Sequence, residues 1–302
     1  MANSIERASV FQTQLDQQFV QEAVTGWMDE NAGQVQYAGG KEIKIPSVVL
    51  QGLGSYDRTN GAPGSVITLT YETLPMTMDR GRALEIDEMD VEETKGAAAM
   101  ATLAATFQAE HVIPEVDAYR LSKAVELADT RKRTYTPAAA SVLQTLNEDI
   151  MTVLDAVGSN AQLVIHISNA AYGILINSDK LIKQLDVINF QKGEINQKVR
   201  AIDGTPLLNT RNNLMKSAYT FRDGVTGGQE AGGFVAAVDA KQVNWIVFAR
   251  RAPIAVSKQD KGRLFDPETW QKARAWHYDY RRYHDLWIPK NKLDGVFVNI
   301  GA

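Results

Sequence analysis

The sequence holds few residues whose types and spacing could support catalysis. Gly52-Leu53-Gly54 begins like a dinucleotide-binding glycine motif, but Asp57 stands where the third glycine would be, and no helix is expected to open there. The histidines lack the four-residue spacing with an intervening glutamate that a helical zinc site requires; they are His111, His166, His277 and His284. Cysteine is absent, which excludes disulfides, thiolate metal sites and cysteine nucleophiles. We therefore predict no catalytic, cofactor-binding or metal-binding residues, and no enzymatic activity.

A dense acidic tract could bind a divalent cation, because carboxylates are the ligands that Mg²⁺ and Ca²⁺ prefer. On a strand, however, residues 85 and 87 share one face whereas residues 88 and 90 share the other, so they do not converge on one ion. We favour a solvated or partner-facing edge, and a metal-dependent hydrolase is the less favoured alternative. The tract consists of Glu85, Asp87, Glu88, Asp90, Glu92 and Glu93.

The C-terminal part of the chain is basic, unlike the rest. Residues 241–302 hold twelve Lys and Arg against six Asp and Glu, a net charge of +6, which leaves −10 for residues 1–240. Aromatic residues alternate with Arg281 and Arg282 over residues 276–285, a pattern that could stack on single-stranded nucleic acid. We favour an amphipathic strand whose arginines pair with acids, because no ribonucleoprotein motif accompanies it.

Composition indicates a folded, soluble protein. The chain has 302 residues, 44% of them hydrophobic and 23% charged, with a net charge of −4, which is typical of globular domains. No global basic field attracts nucleic acid or anionic lipid. The N-terminus is charged by residue 6 and lacks an apolar segment, so we expect neither a secretory signal nor a membrane span.

Hydrophobic periodicity predicts the elements that surround these residues. An amphipathic helix is expected over residues 9–28, with Phe11, Phe19 and Trp27 on its apolar face. Alternation predicts strands near 42–45, 66–71 and 83–87, and between the first two lies an exposed two-stranded loop at residues 52–64 that is rich in glycine. A long helix is expected from about Glu92 to Asp129, kinked or divided at Pro114.

The second half of the chain reads as mixed helix and strand. A helix should start at Thr136-Pro137 and stop at Gly158, followed by a strand at 163–167 and a helix from Ser168 to about Asn177. Further strands are expected at 195–202, 205–210, 244–249, 254–258, 276–288 and 293–299, with Asp203-Gly204 as the turn between the first two. The fold class is therefore α+β.

Four segments resemble the major capsid proteins of tailed bacteriophages, and the resemblance spans about residues 40–300. They are residues 78–94 (MDRGRALEIDEMDVEET), 107–120 (FQAEHVIPEVDAYR), 201–208 (AIDGTPLL) and 280–287 (YRRYHDLW). The resemblance implies the Hong Kong phage-type capsid fold. That fold would comprise an N-terminal arm (1–38), an extended β-loop with flanking strands (39–91), a peripheral domain with the spine helix (92–136 and 243–302) and an axial domain (137–242). Many relatives carry a scaffolding segment before the arm; this chain shows none, so a separate scaffold or a removed segment stays open.

The implied function is structural. The chain would assemble with itself, as hexamers and pentamers, into the icosahedral head that encloses the double-stranded DNA of a tailed phage. The expected partners are portal and scaffolding proteins, decoration proteins and non-specifically contacted DNA, but no membrane, and the expected location is the virion, assembled in the host cytoplasm. An encapsulin-like compartment shell is the alternative.

Candidate assembly residues follow from these expectations. The arm residues Phe11, Phe19 and Trp27 should be buried against a neighbouring subunit, because a terminal amphipathic helix needs a surface. The acidic residues Glu85, Asp87 and Asp90 should meet the basic pair Arg281 and Arg282, within or between chains, and decide which edges dock.

Overall fold

The computed structural model describes residues 23–34, 36–37, 42–49, 51–59, 61–62, 64, 68–89, 97–178, 185–192 and 195–302. The helices are α1 (Ala97–Phe107), α2 (Ile113–Leu127), α3 (Val142–Val157) and α4 (Asn169–Ile176), with a π-helical turn at Gln108–Val112 and 3₁₀ helices at Gly26–Gln34, Asn212–Leu214 and Lys290–Gly295. The first strands are β1 (Gln36–Tyr37), β2 (Glu42–Val49), β3 (Thr68–Pro75), β4 (Met78–Asp87), β5 (Lys132–Thr134), β6 (Leu163–Ser168), β7 (Leu185–Lys192) and β8 (Ile195–Ile202). The remaining strands are β9 (Thr205–Thr210), β10 (Tyr219–Phe221), β11 (Phe234–Ala236), β12 (Val243–Ala249), β13 (Ile254–Phe265), β14 (Ala275–Trp287) and β15 (Val296–Ile300).

A mixed seven-stranded sheet, in the order β5-β15-β12-β6-β9-β8-β7, carries the main hydrophobic core. Strands β6 and β12 are buried along their whole length, as the apolar run at residues 163–167 predicts. Helix α3 packs on this core through Leu146, Ile150 and Val153. It begins at Val142, five residues later than the Thr136-Pro137 prediction, and ends at Gly158 (φ 109°) as expected.

The sheet does not follow the predicted domain boundary at residue 242. Strands β12 and β15 pair directly with each other, and β12 also pairs with β6, so residues 243–249 and 296–300 belong with the sheet that was predicted to be axial. Only the segment between them, which contains β13 and β14, joins the other sheet. Long-range strand pairing cannot be inferred from local periodicity, which explains the wrong assignment.

A three-stranded sheet, β13-β14-β4, packs against the long helix. Tyr278 and Tyr280 of β14 form a second core cluster with Val112, Ile113 and Val116. The helix is divided near Pro114, as predicted, but by a π-helical turn immediately before α2, and Ile113 keeps α-helical dihedral angles (φ −61°, ψ −49°). Proline lacks the N–H that an α-helix would use, and its ring needs space beside the preceding turn. The wider π turn accommodates both effects, so the preceding residue is not forced out of α geometry.

The described residues before β1, 23–34, pack on their own subunit. Residues 26–34 form a 3₁₀ helix and not the end of an α-helix. Trp27 and Met28 are fully buried in the main core. Gly26 weakens any helix at this point, and the groups of Thr25 bond to Asp117 and not along a helix. The prediction that Trp27 packs between subunits is therefore wrong, because its side chain has no exposed surface left; Phe11 and Phe19 lie outside the described residues.

Candidate assembly surfaces

The extended loop combines a long strand pair with an exposed apolar tip. Strands β2 and β3 pair antiparallel up to Val49 and Thr68, and Asp57 and Gly61 exchange two backbone hydrogen bonds at the tip (3.0 and 2.8 Å). Leu53 is 107% exposed and Tyr56 73% exposed. The tip is thus locally folded, yet its large apolar side chains find no cover among the described residues. Only contact with another surface can bury these two side chains.

The root of this loop is fixed within the subunit. Ile43 and Ile45 of β2 and Met76 are buried beside Tyr283 and Trp287 of β14. An extended loop anchored in this way projects its tip in a direction that its own chain sets.

A buried carboxylate ties the same root to the long helix. Asp285 accepts hydrogen bonds from the backbone N–H and hydroxyl of Thr77 (2.8 and 2.9 Å), from the hydroxyl of Tyr119 (2.5 Å) and from the backbone N–H of Leu286 (2.8 Å). Burial, and then the negative charge of Asp285, raise the pKa of Tyr119. These bonds join the β3–β4 connection, α2 and β14 into one rigid unit.

The point where the N-terminal segment enters the body is fixed as well. Asp117 of α2 accepts bonds from the backbone N–H groups of Val24 and Thr25 (both 2.9 Å) and from the Thr25 hydroxyl (2.5 Å). Burial raises the pKa of Asp117, and these donors and Arg120 oppose that effect. Arg120 also forms a bidentate ion pair with Asp29 (2.7 and 3.0 Å).

Trp27 completes this anchor. Its indole Nε1–H donates to Nε2 of His166 in β6 (3.0 Å), and its ring contacts Phe248 of β12 edge to face with centroids 5.8 Å apart. The segment that precedes β1 is therefore part of the core over residues 24–29, and not an arm that could detach there.

The acidic and basic stretches meet, but not through the predicted charge pairs. Strands β4 and β14 are antiparallel neighbours, with Glu85 opposite His277 and Gly81 opposite Arg281. Glu85 accordingly bonds His277 Nδ1 (2.9 Å), about four residues and roughly 13 Å along the strand from Arg281. Asp87 accepts the backbone N–H of Met89 (2.9 Å), and Asp90 lies outside the described residues. The register of the two strands decides these partners.

The two arginines have different environments and different acids. Arg281 is exposed and pairs with Asp79 of β4 (2.6 Å), whereas Arg282 is 2% exposed and pairs with Asp260 of β13 (2.7 Å). Arg282 is thus an internal residue of the sheet and offers no charge to a neighbouring subunit. The favoured interpretation, an amphipathic strand whose arginines pair with acids, agrees with both contacts.

Sequence reasoning missed a second arginine pair, Arg80 and Arg82. It began this strand at residue 83, whereas β4 begins at Met78, and the alternation of Arg80, Arg82 and Leu84 was the available signal. Gly81 between them is required: a Cβ there would lie 2.7 Å from the carbonyl oxygen of Tyr280. Both arginines donate to backbone carbonyls of the loop between β10 and β11.

Two kinds of site do not occur in the described part of the chain. Over these ranges there is no group of three or more histidine, aspartate or glutamate side chains that could hold a metal ion; of the acidic tract, residues 90, 92 and 93 fall outside them. No described helix is both long and apolar enough to cross a bilayer.

No family model matches the sequence, and no curated protein sequence matches it significantly. Solved structures do match. The asymmetric unit of the bacteriophage PhiM1 mature capsid aligns with a TM-score of 0.58 at 11% identity, covering 87% of this chain and 82% of that one. The capsid of cyanophage P-SCSP1u gives 0.58 at 14% identity (88% and 85% covered). The head of Helicobacter pylori bacteriophage KHP40 gives 0.54 at 12% identity (85% and 83% covered).

The similarity extends over most of each chain, so the whole architecture is shared. The class it defines is the fold of phage capsid proteins. More particularly, the chain has the Hong Kong phage-type major capsid fold, which confirms the predicted fold class.

Proposed function

We propose that this chain is the major capsid protein of a tailed phage, which assembles with copies of itself into the icosahedral head around double-stranded DNA. The observation that carries the proposal is the shared architecture with three phage capsid and head structures over 85% or more of this chain. A structural role also agrees with the lack of catalytic motifs in the sequence.

The extended loop supports the same proposal. Its root is anchored by the Asp285 network and by the packing of Ile43 and Met76, while its tip exposes Leu53 and Tyr56. Fully burying such side chains contributes about 1.5–3 kcal/mol each. In a shell, every subunit repeats this contact, so a modest gain per tip stabilises the whole particle.

The further partners belong to the proposal as well. We expect portal and scaffolding proteins to take part in assembly, decoration proteins to be possible additions, and the packaged DNA to be contacted without sequence preference. The net charge of −4 limits adhesion of the genome to the inner wall. The particle would be the virion head, assembled in the host cytoplasm, and catalysis is not expected of it.

Electron microscopy of the purified recombinant chain tests the proposal, with analytical ultracentrifugation across subunit concentrations beside it. We expect closed isometric particles of uniform diameter. Species of one or a few subunits at all concentrations would contradict it. Shells that co-purify with a cargo protein inside them would instead identify an encapsulin-like compartment.

A further inference from the structure

A half-open cavity of about 510 Å³ lies beneath the loop that joins β10 and β11. Its floor is one face of the β4–β14 strand pair, its wall is formed by the end of α1, the π turn and the start of α2, and its roof is residues 222–233. Cavities of this volume are in the range that holds small organic ligands.

Four arginines line the cavity, and two of them have no carboxylate partner among the described residues. Arg80 is neutralised by Glu115 (2.7 Å) and Arg282 by Asp260 (2.7 Å). The remaining two are Arg82 and Arg222. Two guanidinium groups that make no ion pair and line one cavity can together bind an oxyanion.

Both arginines border the same loop, the roof of the cavity. The guanidinium of Arg82 lies against the roof: it donates to the carbonyl oxygen of Glu230 (3.2 Å), and a Cβ at Gly224 would lie 3.2 Å from its Nη1 atom. Gly224 is two residues from Arg222 and has a positive φ of 75°. The backbone of Arg222 is held in place, since its carbonyl accepts a bond from Arg80 (2.6 Å) and its N–H donates to Gly233 (2.9 Å). Its side chain makes no hydrogen bond or ion pair with another described residue.

The other carboxylates at the cavity are already engaged. Asp79 bonds Arg281, whose side chain lies on the other face of the strand pair. Asp223 accepts bonds from the N–H groups of Val225 and Thr226 within its own turn (both 2.9 Å). Asp79 is thus neutralised by Arg281, whereas Asp223 keeps its negative charge, because its N–H donors are neutral. Arg82 and Arg222 together outweigh this one carboxylate, so an excess of positive charge remains for a ligand.

A buried histidine provides an additional polar group. His284 lines the cavity and is 2% exposed, and its Nδ1 atom makes no hydrogen bond with any described residue. Leaving a buried polar atom unpaired is unfavourable, so a ligand that bonds to it gains an interaction. Burial, followed by the charges of Arg282, Arg120 and Arg80, lowers the pKa of His284, so its imidazole is held in the neutral form.

Apolar side chains also line the cavity, two of them beside Arg82 on its floor. They are Leu84, Phe107 and Tyr280, and the rings of Phe107 and Tyr280 meet edge to face with centroids 6.1 Å apart. A bare inorganic anion would leave these side chains without a partner, whereas a ligand with an anionic end and a flat or apolar body would cover them.

We propose that this cavity binds a small organic phosphate, with the phosphate group between Arg82 and Arg222 and the organic part against Leu84, Phe107 and Tyr280. The site is half enclosed and lies under a loop. A DNA duplex is too large to enter it, because its major groove alone is about 12 Å wide. A bound phosphate would bridge β4 and the roof and hold residues 223–233 in place. This inference stands apart from shell formation, because it is tested on unassembled subunits.

Isothermal titration calorimetry at physiological ionic strength tests the site with three probes: adenosine 5′-monophosphate, inorganic phosphate and adenosine. We expect the nucleotide to bind more tightly than either fragment. Arg82→Gln and Arg222→Gln should each weaken nucleotide binding at least tenfold. Amide hydrogen exchange over residues 223–233 should slow when the nucleotide is present.

Arg281→Gln is the matched control, because it removes the same charge from the same strand pair on the opposite face, and it should leave the affinity within twofold. Circular dichroism checks that each variant is folded; Arg222→Gln keeps every backbone bond of the roof, so it remains informative even if Arg82→Gln does not fold. The proposal is overturned if the nucleotide does not bind the unmodified chain, if both cavity variants bind it unchanged, or if inorganic phosphate binds as tightly as the nucleotide. Displacement of the nucleotide by a short DNA duplex would overturn it in favour of a nucleic-acid surface.

Discussion

Truncation of Trp27 should destabilise the isolated subunit and not merely its assembly. The side chain is fully buried between the segment 24–29 and the central strands, and its indole N–H bonds His166. Replacing a buried tryptophan by alanine costs about 3–5 kcal/mol through lost transfer energy and the cavity left behind. Loss of the hydrogen bond to Nε2 of His166 adds about 1–3 kcal/mol.

The two contributions can be separated. Trp27→Phe keeps the six-membered part of the ring system but loses the N–H, so it should cost the hydrogen-bond part, about 1–3 kcal/mol, and only a small packing loss. Trp27→Ala should cost more, a large fraction of the 5–15 kcal/mol that typically holds a domain folded. Urea unfolding of unassembled subunits, followed by circular dichroism, measures both variants.

Tyr56→Ala is the control, because Tyr56 is 73% exposed at the loop tip, and it should change the free energy of unfolding by less than about 0.5 kcal/mol. If Trp27→Ala costs less than about 1 kcal/mol while shells no longer form, Trp27 serves a neighbouring subunit and the reasoning from burial is refuted.

Three further outcomes are expected. Leu53→Asp should leave the free energy of unfolding within about 0.5 kcal/mol but prevent shell formation in electron micrographs, because the side chain is exposed in the subunit and we propose that it is buried in the shell. Arg282→Met should destabilise the subunit by roughly 3 kcal/mol in urea, the lower end for a broken buried pair, since Asp260 is partly exposed. Bonds from Thr226 and the turn lower the pKa of Asp223 to about 2; the turn's stability is therefore full above pH 3.8 and declines as pH falls toward 2, and Thr226→Val should raise this pKa in an NMR titration.

Each of these outcomes has a contrary result. Leu53→Met should still form shells, and normal shells from Leu53→Asp would show that the tip makes no essential contact. Arg281→Met should cost less than about 1 kcal/mol because its pair with Asp79 is exposed; an equal loss from both arginine variants would mean that burial does not distinguish them. An Asp223 carboxyl that titrates at its ordinary pKa would contradict the hydrogen bonds of its turn.

Much of the local structure was determined by sequence alone, because its causes lie within a few residues. The Asp203-Gly204 pair adopts positive φ at both positions (48° and 78°) and joins β8 to β9 as predicted, since few other pairs tolerate that turn. Ser168 caps α4 by accepting the N–H of Ala171 (3.3 Å), as its position before an apolar run indicates. Residues 51–59, in the glycine-rich stretch between β2 and β3, are exposed for the same local reason, a shortage of side chains to bury.

Tertiary structure decided which residues face inward and which acids and bases meet. Trp27 has the same amphipathic spacing whether it packs on a neighbour or on its own chain, and the choice depends on His166, 139 positions away. Arg281 and Arg282 are adjacent in sequence, yet the alternation of a strand sends one to solvent and the other into the sheet beside Asp260. Strand register, an arrangement between distant segments, paired Glu85 with His277 and placed β12 and β15 in one sheet with β6. Such pairings arise from the best joint burial of many segments, and no short stretch of sequence contains that information.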